Sequence, residues 1–239
     1  MSKQVLLLLP GLLCDDTVWT HQRSALSTIA DTVVPDYRSL DSISAMAEKV
    51  LCEAPAQTFA LAGHSMGGRV ALEVVRKAPS RVTRLALLDT GFEPLASGDA
   101  GAQERIKRMQ LLDIAKTQGM RAMGQQWAPG MVHPDRVSTP VFEDILAMIE
   151  RRTPAEFEAQ INALLGRPDA GPVLSSLACP TLLLCGRQDA WSPYARHKVM
   201  HHMIPVPWSS LSAVEDCGHM STMERPDTVS ALLVQWMLH

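Results

Sequence analysis

The chain has 239 residues, of which 46% are hydrophobic and 20% are charged, and its formal net charge at pH 7 is −3. This composition is typical of a globular domain. No basic excess indicates a nucleic-acid partner, and the slightly acidic balance argues against an anionic membrane as a partner. No apolar stretch approaches the roughly 20 residues of a membrane span, so we predict no membrane insertion.

The cysteines and the N-terminal leucine run both indicate in which cellular compartment the protein is expected. The five cysteines have no metal-ligand spacing, and their odd number argues against a disulfide framework. The run VLLLLPGLLC is broken by Pro10-Gly11 and has no small-residue cleavage site before Cys14, so it predicts a buried strand and not a signal peptide. We therefore expect a cytoplasmic protein with reduced thiols and no bound metal.

The first part of the chain alternates short apolar runs with amphipathic runs of helical period. This alternation is typical of an α/β domain with a parallel sheet, whose buried strands are apolar on both faces. The second strand contains Pro35, which suits an edge or near-edge position. The predicted elements are strand 5–9, helix 15–27, strand 32–37, helix 42–53, strand 59–62, a helix that begins after Ser65 and ends before Pro79, and strand 84–89.

The alternation stops between residue 90 and about residue 178, where no strand-like run appears. Proline and glycine separate four runs of helical character in this segment. Because an all-helical insertion between two parallel strands cannot lie in the sheet, we expect it to cover the sheet. The predicted helices are 103–118, 120–127, 140–151 and 154–165.

The alternation resumes in the last 60 residues. A strand at 181–185, a helix that includes 197–202, a strand at 210–215 and a closing helix at 226–236 follow one another. The whole pattern predicts a sheet of about six strands, all parallel. An open sheet edge is a place where oligomers form, but the sequence does not determine the oligomeric state.

The segment TFALAGHSMGGRVALEVVRK, residues 58–77, contains a glycine-flanked serine between a strand and a helix. Reversal from strand to helix in so few residues strains the central residue, so the positions two before and two after it must lack side chains. Gly63 and Gly67 meet that requirement around Ser65. The turn would hold the serine hydroxyl above the sheet, beside a helix N-terminus that favours negative charge. On this helix, Arg69 and Glu73 are expected on the polar side.

The strand, the GHSMGG run and the helix together resemble the nucleophile elbow of the α/β-hydrolase family. The resemblance extends over nearly the whole chain and implies a core formed by residues 1–90 and 179–239, with residues 91–178 as a helical cap that shapes the substrate pocket. It also implies an oxyanion hole made by the backbone N–H groups of Leu12 and Met66. Pro10 stands where the family usually has histidine, which puts the loop's usual hydrogen bonds in doubt.

The family order of serine, acid and histidine is met by Ser65, Asp189 and His219, each just past the end of a predicted strand. The histidine lies in CGHMSTMERP, which is similar to the family's histidine loop. Asp89, also at a strand end, is the alternative acid because some relatives use that position. If it is not the acid, we expect it to hold the loop that leads into the cap by hydrogen bonds.

Other side chains with possible chemistry receive structural interpretations. His64 adjoins the serine but is expected to point away from its hydroxyl, and Cys217 is interpreted as a small buried residue. Solvated positions on a helix are expected for His197, His201 and His202.

The pattern predicts a serine hydrolase of a small carboxylic ester or lactone that needs no cofactor. Carbon-carbon bond hydrolases, thioesterases, amidases and perhydrolases would use the same residues, and a non-catalytic ligand receptor of the same fold is the alternative from another class. In the segment 91–178, Trp127 is a candidate for the substrate pocket. A substrate carboxylate is a possible ligand of Arg151, Arg152 or Arg167, although we expect these arginines on the surface.

Overall fold

The computed structural model describes residues 3–239, and its centre is one sheet of six parallel strands in the order β2-β1-β3-β4-β5-β6. All six residues of β3 and all six of β5 are buried, as is typical of strands covered on both faces. The prediction of about six strands, all parallel, is confirmed. The strands are β1 (Gln4–Leu9), β2 (Ala30–Val33), β3 (Phe59–His64), β4 (Val82–Leu88), β5 (Thr181–Gly186) and β6 (Ser209–Val214).

The strand order reverses direction at β1, which lies between β2 and β3. The chain first moves to one side of β1 and then returns to its other side. The connections that follow the strands on either side of such a reversal run in opposite directions, and a crevice is left between them at the carboxyl ends of the strands. The loop after β1 and the turn after β3 therefore both border this crevice.

Eleven α-helices accompany the strands in the described part of the chain. Helix α1 packs against α11, whereas α2 packs against α3, and α8 contacts both α3 and α9. The helices are α1 (Thr20–Leu26), α2 (Ile43–Glu53), α3 (Met66–Lys77), α4 (Asp99–Gln118), α5 (Met120–Trp127), α6 (Pro140–Glu150), α7 (Pro154–Leu165), α8 (Gly171–Ser175), α9 (Tyr194–Met203), α10 (Ser221–Glu224) and α11 (Pro226–Leu238).

Two elements near the N-terminus differ from their predicted bounds. Strand β2 lies at the sheet edge as predicted, but it ends at Val33, before Pro35, because proline has no N–H for the ladder. The first helix is preceded by a 3₁₀ turn at Asp16–Trp19, which Asp15 caps by accepting a 2.9 Å hydrogen bond from the Thr17 N–H.

The segment between β4 and β5 contains five helices and, within its residues 91–178, no strand. Helix α4 begins at Asp99, four residues before its predicted start, and the short helix α8 was not predicted. Helix α5 has its predicted bounds. A capping box between Thr153 and Glu156 starts α7.

The five cysteines are all free thiols. Over residues 3–239, none of the helices combines the length and the apolar character needed to cross a membrane. The cytoplasmic location stays a prediction.

Candidate active site

Ser65 occupies the turn between β3 and α3 with φ 53° and ψ −117°, a conformation that non-glycine residues rarely adopt. Its N–H donates to the Leu88 carbonyl at 2.9 Å, and its carbonyl accepts from the Gly68 N–H at 3.0 Å. A Cβ at Gly63 would overlap the backbone of Gly67, and a Cβ at Gly67 would overlap the carbonyl of Leu9. Both glycines are therefore required by close backbone approach, as the sequence indicates.

The structure brings Ser65, His219 and Asp189 into one hydrogen-bonded chain. Nε2 of His219 lies 2.8 Å from Oγ of Ser65, and Nδ1 of His219 lies 2.8 Å from Oδ2 of Asp189. The second carboxylate oxygen of Asp189 accepts the N–H groups of Trp191 at 2.8 Å and Ser192 at 2.9 Å. The carboxylate is thus fixed on one side by the loop after β5 and on the other by the imidazole.

The histidine and the aspartate shift each other's pKa. Burial lowers the pKa of His219, but the charge and the hydrogen bond of Asp189 outweigh burial, and the pKa lies above its ordinary value. Burial likewise raises the pKa of Asp189, and the His219 ring and two backbone N–H groups outweigh it, so the pKa of this carboxyl is lowered. An ionised carboxylate beside a histidine of raised basicity can orient and stabilise an imidazolium.

Asp89 is fully buried near Asp189 and has a different set of partners. Its Oδ1 accepts the Gly186 N–H at 2.9 Å, and its Oδ2 is hydrogen-bonded to the Ser221 hydroxyl. Burial first, and the charge of Asp189 second, raise the pKa of Asp89 well above its ordinary value. The expectation that it holds the loop into the segment 91–178 is wrong, because its partners lie at the end of β5 and in α10.

The loop that carries His219 is held by Glu224, a residue the sequence interpretation missed. The Glu224 carboxylate accepts the N–H groups of Gly218 and Met220 and, at 2.7 Å, that of His133. Burial raises its pKa, against the effect of these N–H groups. The sequence signal was a carboxylate five residues after the histidine, at the start of the closing helices.

The other histidines have structural partners. Nε2 of His64 contacts the His219 carbonyl at 2.8 Å and not the Ser65 hydroxyl, and burial lowers the pKa of His64 to about 4. His197 was expected to be solvated, which is wrong: it is buried, and its Nε2 accepts the Thr90 N–H at 3.1 Å. Helix α9 packs on β5, so its inward face is covered. His201 is half-buried and His202 is exposed.

In the loop after β1, the backbone N–H groups of Leu13 and Cys14 are hydrogen-bonded, whereas that of Leu12 is free among the described residues. The Leu13 N–H donates to Oε1 of Gln160 at 2.9 Å, and the Cys14 N–H donates to the Gly11 carbonyl at 3.1 Å. Within residues 3–239, the Leu12 N–H has no protein acceptor. The Met66 N–H also has no protein acceptor in the described residues. Met66 is the first residue of α3, and the first N–H groups of a helix have no acceptor within the helix. Both residues line the cavity beside Ser65.

Helix α7 and the residues just before it provide hydrogen bonds that hold this loop, which begins at Pro10. Gln160 is buried, and its amide also donates to the Arg38 carbonyl at 3.2 Å. Arg152 donates to the Cys14 carbonyl at 2.7 Å, and its side chain is only 9% exposed. The expectation of a surface position is therefore wrong for Arg152, whereas Arg151 is exposed and pairs with Asp15.

A cavity of about 590 Å³ lies above Ser65 and His219, between the sheet and the segment 91–178. One wall is apolar and includes Trp127, whose ring lies 6.2 Å from that of Phe157 and 6.1 Å from that of Trp191. The structure therefore places Trp127 beside the cavity that contains Ser65. The remaining apolar lining residues of the segment are Pro94, Ala96, Leu111, Met131 and Leu164.

The cavity lining also contains a cluster of arginines, which the sequence interpretation missed. Arg167, expected on the surface, lines the cavity with its side chain 9% exposed and binds Glu104 through two hydrogen bonds of 2.8 Å. Arg69, which the helix pattern places on the polar side of α3, also lines the cavity. Glu73 of the same polar side is buried and pairs with Arg76 at 2.8 Å.

A possible cation-binding cluster consists of Asp89, Cys185 and Asp189, whose ligand atoms lie within 4.8 Å of one another. These groups do not suit a metal ion. Asp189 is bonded to His219 and two backbone N–H groups, Asp89 is bonded to Gly186 and Ser221, and burial raises the pKa of the Cys185 thiol. A thiol with raised pKa stays protonated, and only the thiolate is a good metal ligand.

Comparison with known proteins agrees with this architecture. The model of the alpha/beta hydrolase family matches residues 6–232. Among curated proteins, the chain is similar to the 2-hydroxy-6-oxononadienedioate/2-hydroxy-6-oxononatrienedioate hydrolase of Escherichia coli (strain K12). The two are 24% identical over 226 residues, which cover 87% of this chain and 72% of that protein.

Solved structures show the same likeness over almost all of the chain. A thermophilic esterase from Thermogutta terrifontis, solved with malate bound, has a TM-score of 0.88 and 27% identity, covering 99% of this chain and 90% of that one. The enol-lactonase from Burkholderia xenovorans LB400 has a TM-score of 0.87 at 19% identity, covers 100% of this chain and 93% of that one, and shows the fold alone. Since the family model spans nearly the whole sequence, this chain belongs to the alpha/beta hydrolase family.

Proposed function

We propose that this protein is a serine hydrolase that cleaves a small carboxylic ester or lactone through an acyl-enzyme on Ser65. The observation that carries the proposal is the hydrogen-bonded chain from Ser65 through His219 to Asp189, with 2.8 Å at both links, beside a cavity of small-molecule size. Its likeness to a named esterase at 27% identity supports the same reaction class.

In the proposed mechanism, Nε2 of His219 takes the Ser65 proton as Oγ attacks the acyl carbon. Asp189 accepts the Nδ1–H bond and stabilises the imidazolium that results. The imidazolium then gives its proton to the leaving oxygen, and a water molecule, deprotonated by the same nitrogen, releases the acyl group from Ser65.

The charge that develops on the carbonyl oxygen needs donors, and we assign them to the N–H groups of Leu12 and Met66. Both are free of protein acceptors in the described chain and both line the cavity. Each such donor contributes about 3 kcal/mol to transition-state stabilisation. The N-terminus of α3, where Met66 lies, adds a favourable electrostatic field.

We further propose that residues 1–90 and 179–239 form the catalytic core and that residues 91–178 act as its cap. The cap provides the apolar wall with Trp127 as a substrate contact, and through Gln160 it holds the loop of Leu12. A cap of this kind excludes water and shapes the pocket.

A second candidate reaction is hydrolysis of a carbon-carbon bond beside a ketone. The observation in its favour is the likeness to the E. coli enzyme, whose named substrate contains a ketone and two carboxylates and no ester. A thioesterase or an amidase would use the same residues. A receptor without catalysis is disfavoured because the free N–H groups and the triad occur together.

We expect Ser65→Ala and His219→Ala each to lower the hydrolysis of p-nitrophenyl esters, from acetate to octanoate, by about a thousandfold or more, since triad members act as a unit. A fluorophosphonate probe should label the wild type stoichiometrically and leave Ser65→Ala unlabelled. Equal turnover by all three proteins would refute the site. If the wild type is labelled but no ester is hydrolysed, the reaction is sought among ketones, thioesters and amides.

The choice between the two buried aspartates is tested by paired amide substitutions. Asp189→Asn should lower kcat by a factor of about 10⁴, because the amide no longer fixes the working tautomer of His219. Asp89→Asn should lower it by less than about tenfold, since an amide can both accept from Gly186 and donate to Ser221. The reverse order of the two losses would make Asp89 the acid.

The pH profile follows from the raised pKa of His219. The protonated ring cannot accept the Ser65 proton, so kcat/KM should rise with pH and level off above an apparent pKa greater than the histidine value of about 6.5. The profile is measured with a neutral ester. A rate that is constant from pH 5 to 8 would contradict the role of His219 as general base.

The role of Gln160 in holding the loop of Leu12 is also testable. Gln160→Leu removes the acceptor of the Leu13 N–H and should lower kcat by about tenfold or more with a smaller change in KM, because a displaced oxyanion donor acts mainly in the transition state. Gln160→Glu, which keeps an acceptor there, should recover part of the loss. Gln103→Leu, at an exposed position of α4, is the control. An unchanged kcat in Gln160→Leu would show that the loop does not depend on this contact.

A further inference from the structure

Arg69 is a cation of the cavity wall that lacks a carboxylate partner. It lies on α3, four residues after Ser65, and lines the same cavity. Its Nη1 donates to the backbone carbonyl of Glu93 at 2.8 Å. Across residues 3–239, no carboxylate oxygen lies within 4.0 Å of its guanidinium, so its charge is not neutralised by direct contact.

Unlike Arg69, the neighbouring arginines of the cavity contact carboxylates. Arg108 and Arg167 share the carboxylate of Glu104, and Arg196 lies 3.2 Å from Glu93. The two arginines at Glu104 outweigh the effect of its burial and lower its pKa to about 2, so this carboxylate is ionised.

The charged side chains of the whole cavity lining have a positive sum. Five cationic side chains and two carboxylates line the cavity, which leaves three more positive than negative charges in a protein whose total is −3. The cavity lining therefore has an excess of positive charge that the protein as a whole lacks. An excess of one sign of charge in a cleft raises the local concentration of ligands of the opposite sign.

The environment of Arg69 makes its positive charge costly. Burial, together with the charges of Arg167 and Arg196, lowers its pKa to about 9, so it is still protonated at neutral pH. The charges of Glu93 and Glu104 oppose this lowering, but neither carboxylate contacts the guanidinium. A bound anion that accepts its N–H groups would relieve the cost of keeping this cation among other cations. Its guanidinium offers the planar pair of donors that suits a carboxylate.

We propose that the substrate of this enzyme is an ester or lactone that bears a free carboxylate, and that Arg69 binds this carboxylate while Ser65 attacks the acyl carbon. This inference rests on the proposed serine-hydrolase function. Arg69 lies about one helical turn after Ser65 and lines the same cavity, so an ester whose carboxylate and acyl carbon are joined by a short spacer can contact both side chains. Half-esters of short dicarboxylic acids have this form.

The remaining parts of the cavity fit such a substrate. Arg167 and Arg196 lie in the same wall as Arg69 and add to the field at the carboxylate, although their own partners are Glu104 and Glu93. The apolar wall with Trp127 and Phe157 accepts the spacer or the alcohol part. A neutral ester of the same size can occupy the apolar wall but leaves Arg69 without a counter-ion.

The first experiment compares monomethyl glutarate with dimethyl glutarate by acid release in a pH-stat. For the wild type, kcat/KM is expected to be about tenfold or more higher for the monoester, because truncating or neutralising one partner of a buried charge pair is costly. Arg69→Met should lower this ratio by about tenfold, and Arg69→Lys should lower it less, since lysine keeps the charge but not the planar pair of donors.

Arg105→Met is the matched control. It removes one arginine from α4, the helix of Arg108, at an exposed position that does not line the cavity. The selectivity ratio of this variant should equal that of the wild type. If Arg105→Met lowers the ratio as much as Arg69→Met, the preference comes from overall charge, and the assignment to Arg69 is overturned.

The second experiment measures binding without turnover, by calorimetric titration of glutarate into Ser65→Ala and into Ser65→Ala with Arg69→Met. The first should bind glutarate, and the second should bind it about tenfold or more weakly, with thermal melts to show that both are folded. Binding that is equal in the two proteins, or absent from the first, would overturn the inference. If no ester is hydrolysed but glutarate binding depends on Arg69, the anion site stands and the hydrolase proposal alone fails.

Discussion

The site depends on the strained backbone at Ser65. A serine with φ 53° is held only because the surrounding chain leaves it no other conformation, and the two flanking glycines let α3 approach the ends of β1 and β3. That close approach places the hydroxyl within 2.8 Å of His219 and leaves the N–H of Met66 as the first free donor of the helix. One turn therefore sets the position of the serine hydroxyl and of the free N–H group to which we assign an oxyanion role.

A second constraint is the burial of two carboxyl groups and a histidine in the same region. The carboxylates of Asp89 and Asp189 have oxygen atoms within 4.8 Å of each other. Two ionised carboxylates at this separation repel each other, so their environments must favour different protonation states. Asp189 faces the His219 ring and two backbone N–H groups, which favour its charged form, whereas Asp89 is fully enclosed and its pKa is raised. The negative charge is therefore concentrated on the carboxylate that touches the imidazole.

The helical segment 91–178 covers the sheet and also provides polar side chains to the loop after β1 and to the cavity. Gln160 and Arg152 reach the loop after β1, and Glu104 and Arg167 form part of the cavity wall. Buried polar groups of this kind must be hydrogen-bonded, and their bonds fix the position of the segment over the sheet. The same bonds hold the loop that begins at Pro10.

Much of the architecture was accessible from the sequence because it follows from local rules. The alternation of apolar strands and amphipathic helices predicted the six parallel strands, and the spacing of Gly63, Ser65 and Gly67 predicted the strained turn by steric argument alone. Asp189 and His219 were identified by their places after strands in a family-like order, and the structure brings them together with Ser65.

The positions that the sequence did not predict are polar residues on helices. A helical period separates the apolar side from the polar side, but it does not say whether another segment covers the polar side. Arg69, Gln160 and His197 are polar residues of this kind, and each is in the interior or at the cavity because the chain folds over it. The sequence alone determined the sheet, the serine turn and the order of the site residues. Only the tertiary structure decided which polar side chains are buried, which charges remain unpaired, and therefore where the cavity is cationic.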